Sequence, residues 1–379
     1  MRDDLKVLEG FAGPGGLSEA AAMLGISDVV GVETNTDACA TARAAGHKRL
    51  QADIRDLDPA DFPATKGWLS APPCPTYCAS GKQSGRADYD LVLEGVRRLG
   101  DSMANAARDD EHRATYGRVA DERTALVLET LKLAFRLPKL EWMVAEQVPA
   151  VHGIWAEVCA ELAAAYDWQS CNVVKIRADD LGAATRRERV ILIATRWHTP
   201  DFTGVPLRAR WSCGRFEAPQ VHGPQPGAEF PRVSMAQALD YPAGVRINTR
   251  GNRRTAGGNE FSADQPAVSM TGNGLRAWYR TDLGKPAGLL TPAQAGLLQG
   301  FPADYPWHGS RSSQFQRIAD TVSPMVGAAV IGAATGLDWQ PAVRRRLAGL
   351  YRHTHITEAR DLERQLDLFD AVPEMGLAS

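Results

Sequence analysis

Over the first two hundred residues, short β-branched runs alternate with alanine-rich stretches of helical periodicity. That pattern predicts a doubly wound α/β fold, a mostly parallel sheet with helices on both faces. The strands read as Leu5 to Glu9, Val29 to Val32, Arg49 to Ala52, Trp68 to Ala71, Trp142 to Ala145, Asn172 to Ile176 and Val190 to Thr195. Several run into a polar or reactive residue: Glu33, Asp53, the Pro72-Pro73-Cys74 turn and Glu146. In open α/β sheets, ligands gather outside the carboxyl ends of the strands. From about Trp197 the alternation gives way to proline, glycine, arginine and single aromatics until roughly Gly288, which predicts a smaller, loop-rich domain. Helical periodicity resumes at Thr291-Pro292, a good N-cap and first-turn pair, and again from Ile318 to Ala334. The expected division is 1–200 plus 309–341 for the first domain, 201–308 for the second, and 342–379 for a charged tail carrying a surface helix.

A chain of 379 residues with 44% hydrophobic content can bury a substantial core. Six cysteines lie scattered without any C-x-x-C pair, and no apolar presequence follows Met1-Arg2-Asp3-Asp4, so reduced thiols in a cytoplasm are expected. The longest apolar runs, such as Val190 to Thr195, are far too short to cross a bilayer. Net charge is −2, but between Asp201 and Lys285 eleven Lys and Arg stand against seven Asp and Glu. The local excess suits a phosphate-facing surface.

Phe11-Ala12-Gly13-Pro14-Gly15-Gly16 follows the first strand and opens a helix at Leu17, placing glycines where backbone must approach a ligand closely. Glu33 stands twenty positions after Gly13, at the end of the next strand, where a carboxylate can hold both ribose hydroxyls of a nucleoside cofactor. Asp53 adds an acceptor suited to the amine of adenine. Cys74, flanked by Pro72, Pro73 and Pro75, is a thiol on a stiff turn, as a nucleophile requires. Cys78 is close, but no second ligand pair with zinc spacing accompanies the two, and no metal is expected. Glu146, in Ala145-Glu146-Gln147-Val148-Pro149, is placed to hand a proton to a ring nitrogen. Arg187 and Arg189 immediately precede the last strand and point to one side of an extended segment, where they are expected to grip one anionic or carbonyl group.

In this order the segments resemble the cytosine-5 DNA methyltransferase family, with its Rossmann-like methyltransferase fold. Phe11 to Gly16 resembles its cofactor loop, Pro73-Cys74 its catalytic turn, Glu146-Gln147-Val148 its Glu-Asn-Val motif, and Thr185-Arg186-Arg187-Glu188-Arg189 its Gln-x-Arg-x-Arg motif. Leu290-Thr291-Pro292 through Leu298-Gln299-Gly300-Phe301-Pro302 resembles its late helix, and Ala319-Asp320-Thr321-Val322-Ser323-Pro324 its closing Gly-Asn-x-Val segment. The departures are Pro75 for glutamine, Cys78 for serine, Gln147 for asparagine, Thr185 for glutamine and Ala319-Asp320 for Gly-Asn.

The resemblance implies S-adenosyl-L-methionine as cofactor, held by Phe11, Ala12, Gly13, Gly15, Gly16, Leu17, Glu33, Asp53, Ile54, Pro73, Asp320 and Thr321. It implies methyl transfer to carbon 5 of a flipped-out cytosine in double-stranded DNA, with Cys74 as nucleophile and Glu146, Arg187 and Arg189 as the other catalytic residues. The segment Ser80 to Gly85 resembles the loop that closes over DNA. Target choice is expected among Arg208, Arg210, Arg215, Arg250, Arg253 and Arg254. A monomer is expected, with a cognate restriction endonuclease as the candidate companion and no membrane partner. Two alternatives stand beside this: an RNA cytosine-5 methyltransferase of the same fold, and an inactive DNA-binding or partner subunit, against which the retained Cys74 and Glu146 weigh.

Overall fold

The computed structural model describes residues 6–73, 77, 88–104, 113–165, 168–212, 221–222, 230–249, 260–272, 278–282 and 285–351. Among the described residues nine strands form one sheet: β1 (Val7–Gly10), β2 (Val29–Glu33), β3 (Lys48–Gln51), β4 (Gly67–Ser70), β5 (Trp142–Gln147), β6 (Ser170–Arg177), β7 (Glu188–Thr195), β8 (Leu207–Ser212) and β9 (Val221–His222). Their order is β3-β2-β1-β4-β5-β7-β6-β8-β9. The first five strands are mutually parallel, whereas β7 runs antiparallel to both β5 and β6. That reversal matters for the site, because the start of β7 then lies beside the end of β5, with Gln147 opposite Val190.

The helices are α1 (Gly16–Met23), α2 (Thr36–Ala44), α3 (Tyr89–Ala104), α4 (Arg113–Tyr116), α5 (Val127–Arg136), α6 (His152–Ala164), α7 (Met235–Leu239), α8 (Pro292–Gln299), α9 (Arg311–Asp320), α10 (Pro324–Thr335) and α11 (Gln340–Leu350). Successive strand side chains point to opposite faces, and both faces are buried. Val7, Leu69, Val144 and Ile193 meet α1 and α10 on one face, while Leu8, Trp68, Met143 and Leu192 meet α3, α5 and α6 on the other. This two-sided covering explains why the strands read as near-continuous apolar runs. Among the described residues one helical stretch, Arg311–Thr335, is long and apolar enough to cross a membrane, and its apolar window is 89% buried inside the protein. Its apolarity belongs to the core.

The sheet does not end where the alternation fades. The sequence division at 201 falls between β7 and β8, two strands of the same sheet, and β8 pairs along β6. A second, four-stranded antiparallel sheet follows, ordered β11 (Glu260–Ser262), β10 (Arg246–Asn248), β12 (Tyr279–Asp282), β13 (Lys285–Leu289). Ile247, Ala263, Met270 and Trp278 from this region join the same apolar core as α1 and α10. A parallel bridge between Thr185 and Ala267 stitches it to the segment entering β7. Thr291 caps α8 with a reciprocal capping box to Gln294 and Pro292 in the first turn, as its sequence predicts. α11 buries Ala342, Val343 and Leu350 in the core, so the part of the expected tail up to 350 packs against the body.

Candidate active site

The glycine loop leaves β1 through two left-handed residues, Phe11 at φ 56° and Gly13 at φ 51°, before Gly15 starts α1 at φ 116°. A left-handed phenylalanine is uncommon and carries strain that surrounding contacts must hold. Those contacts are present. The Ala12 N–H donates to Val32 O at 3.0 Å, and the Tyr305 hydroxyl donates to Pro14 O at 2.6 Å. Gly16 lies against the closing segment, so closely that an added Cβ would stand 2.5 Å from Thr321 Oγ1 and 3.0 Å from Val322 N. In front of Gly13, by contrast, an added Cβ would meet, among the described residues, only Phe11 O at 4.0 Å. The loop therefore packs tightly behind and leaves a cradle ahead.

Glu33 ends β2 at the rim of that cradle. Its Oε2 accepts from Gly13 N–H at 2.8 Å and its Oε1 from Asn35 N–H at 2.7 Å, which orients the carboxylate and leaves lone pairs on both oxygens. A carboxylate held in this way, beside the half-buried Phe11 and an open glycine turn, fits the diol and base of S-adenosylmethionine. The Ile54 side chain is buried with Trp68, and Leu17 is buried against α10, so Leu17 offers the loop its backbone alone. Asp53 departs from expectation. Arg55 grips its carboxylate in a bidentate pair at 2.7–3.1 Å and adds its own N–H at 2.9 Å. That hydrogen bonding holds Asp53 below the usual carboxylate range and leaves it little capacity for an adenine amine.

The remaining groups converge on the same sheet edge. Gln147 donates from Nε2 to Pro72 O at 2.9 Å and accepts the Val148 N–H on its Oε1 at 2.6 Å, so it tethers the prolines that precede Cys74 in sequence. Beside it, Arg189 Nε lies 2.6 Å from Glu146 Oε1, with both side chains nearly enclosed. Cys74, Pro75, Cys78 and the segment Ser80 to Gly85 lie outside the described residues. Pro73, next to Cys74, is half-buried at the end of β4. Tyr77, three positions past Cys74, is buried in the core with its hydroxyl donating to Thr124 O at 3.0 Å.

Arg187 does not join Arg189 on one group. It lies just before β7, and its Nη1 and Nη2 donate to Ala319 O at 2.6 Å and Asp320 O at 3.3 Å. A buried guanidinium thereby ties the β7 entrance to the closing segment. The Asp320 carboxylate accepts both contacts from Gln316 Nε2 at 2.9 Å. Two arginines expected to face nucleic acid are engaged within the fold: Arg208 pairs bidentately with Asp180 at 2.6 Å, and Arg210 bonds Asn172 at 2.9 Å beneath Phe202. Arg215, Arg250, Arg253 and Arg254 lie outside the described residues. The sequence reading missed Arg49 beneath the glycine loop and Tyr77, three positions past Cys74, whose partners are remote in sequence.

Residues 5–99 match a family model described as C-5 cytosine-specific DNA methylase. No curated protein matches the chain in sequence. Among solved structures, the chain is similar to a protein from an E. coli prophage described as a DNA modification methyltransferase, at 17% identity and TM-score 0.55, covering 88% of this chain and 99% of that one. It is similar to the Entamoeba histolytica methyltransferase EhMeth at 14% identity and TM-score 0.55, covering 88% and 98%. The S. pombe Dnmt2 methyltransferase stands at 14% and 0.54, with the same 88% and 98%. At these identities the structures speak for the fold. The family match takes in the glycine loop, Glu33 and the Pro72-Pro73-Cys74 turn of this chain.

Proposed function

We propose that this chain is a DNA cytosine-5 methyltransferase that uses S-adenosylmethionine and acts on a cytosine turned out of a double helix. The observation that carries the reading is the junction of β4, β5 and β7, where Gln147 holds Pro72 beside Cys74 and Arg189 pairs with Glu146. The similarity of residues 5–99 to C-5 cytosine-specific DNA methylases supports DNA as the substrate. In this reading residues 1–200 with 309–341 bind the cofactor and perform the chemistry, and 201–308 choose the target.

Carbon 5 of cytosine is a poor nucleophile. Cys74, as thiolate, adds to carbon 6, and the electron pair displaced from the C5–C6 bond makes carbon 5 nucleophilic. Charge moves toward ring nitrogen 3, where Glu146 supplies a proton or a strong hydrogen bond. Arg189 holds both that carboxylate and the exocyclic oxygen of the base. Bound S-adenosylmethionine supplies an electrophilic methyl group on a positively charged sulfur. Removal of the carbon 5 proton then re-forms the double bond and expels the thiolate. A stacked base cannot be reached from both faces, so it must leave the helix. Incubating the protein with labelled cofactor and either duplex DNA or RNA, followed by base-resolution sequencing, tests the proposal. Carbon 5 methylation in DNA is expected, and methylation confined to RNA would refute it.

A further inference from the structure

Arg49, on β3, is enclosed beneath the glycine loop, with no solvent exposure of its side chain. Gly31, on the neighbouring β2, makes the room, since a side chain there would collide with Nη1 of Arg49. Glu9 supplies the opposite charge at 3.8 Å, and Ser18 joins them, accepting from Arg49 Nη2 at 3.1 Å and donating to the Glu9 carboxyl. Burial raises the proton affinity of Glu9 against the pull of Arg49. A buried ion pair is not by itself a source of stability. What distinguishes this one is where the other donors point. Nη2 reaches Ala12 O at 3.3 Å and Nε reaches Gly13 O at 3.4 Å, while Nη1 donates to Lys48 O at 3.0 Å.

Residues 12 and 13 are thus held at both polar ends. Their N–H groups go to Val32 O and Glu33 Oε2, and their carbonyls go to Arg49. We propose that Arg49 is a positioning residue of the cofactor site: it fixes the Gly13 backbone from below, and the Gly13 N–H in turn sets the Glu33 carboxylate for a nucleoside diol. The inference rests on the reading of Glu33 as the diol acceptor. It accounts for an arginine at a strand position that otherwise calls for an apolar side chain, and for the glycine opposite it.

Calorimetry on the full chain with S-adenosylhomocysteine and its 2′-deoxy counterpart tests it, with thermal melting to follow folding. The wild type should prefer the ribose ligand by about tenfold to a hundredfold, the range for a hydrogen bond to a charged acceptor. Arg49→Lys keeps a charge opposite Glu9 but cannot reach the two loop carbonyls together, and its preference should shrink to roughly threefold or less. The double variant Glu9→Gln with Arg49→Met removes both buried charges at once, which protects folding, and should show the same loss. Wild-type preference retained in either folded variant overturns the inference. A wild type that binds both ligands equally overturns the assignment of Glu33 instead, and the inference falls with it.

Discussion

Replacing Gly16 by alanine probes whether the glycine loop is braced from behind by the closing segment. The new methyl would stand 2.5 Å from Thr321 Oγ1 and 3.0 Å from Val322 N, and closer still to the Val322 carbonyl oxygen. The hydroxyl can rotate away; the backbone cannot, because Val322 and Ser323 are buried and lead into α10. Overpacking of this kind costs about 1–3 kcal/mol. Alanine recovers at most about 1 kcal/mol of helix propensity at the start of α1. A net loss of about 1–2 kcal/mol corresponds to a fall of roughly 2–8 °C in melting temperature for a domain of ordinary size. Gly13→Ala makes the contrast. Its methyl enters open space, so the strain comes from φ 51° alone, about 1–2 kcal/mol, but the methyl projects into the cradle. Melting curves with and without S-adenosylhomocysteine separate the two: both variants should lower stability in the free protein, but Gly16→Ala should keep the stabilisation by ligand and Gly13→Ala should abolish it. Full stability of Gly16→Ala together with normal ligand binding would refute the packing argument.

Arg187→Met removes two charge-assisted bonds to the carbonyls of Ala319 and Asp320 and should cost about 2–4 kcal/mol in urea unfolding; an unchanged midpoint would show that the closing segment holds without it. Burial, then the charges of Asp101 and Glu157, raise Glu161 to about 7. An acid raised on folding favours the native state below its unfolded value near 4.5 and loses that advantage as pH climbs through about 7. Glu161→Gln should therefore match the wild type at pH 4 and be the more stable protein at pH 8, and equal pH profiles would contradict the shift. Tyr77→Phe keeps the buried ring but frees Thr124 O, and should slow adduct formation at Cys74 between about twofold and tenfold in single-turnover assays, with cofactor affinity unchanged.

The seven strands legible in the sequence lie within two residues of their observed bounds; all but the edge strand β3 are largely buried, and their apolar runs mark them. β8 and the second sheet escaped that reading for the opposite reason. The strands of the second sheet are short, and β8 carries, between its apolar residues, Arg208 and Arg210, whose partners Asp180 and Asn172 lie 28 and 38 positions away. Isolated in sequence, a paired arginine looks like a free one. The site divides along the same line. Glu33 and Glu146 could be found because strand ends mark the ligand edge, and Arg189 because it enters the adjoining antiparallel strand. Arg187 misled, since alternation places it with Arg189 only if the strand begins before residue 188, where it starts. Arg49 and Tyr77 were invisible because their contacts span 36 to 47 positions.

The central claim is a covalent bond between Cys74 and the target base. A duplex carrying 5-fluorocytosine at the methylated position tests it, since fluorine cannot leave carbon 5 as a proton and elimination stalls. With cofactor present, the protein should become attached in a complex that survives denaturation, and peptide mass spectrometry should place the bond on Cys74. Cys74→Ser should lose both the adduct and nearly all turnover, because a hydroxyl is far less ionised than a thiol near neutral pH. Attachment at Cys78, or full turnover in the absence of Cys74, would contradict the account.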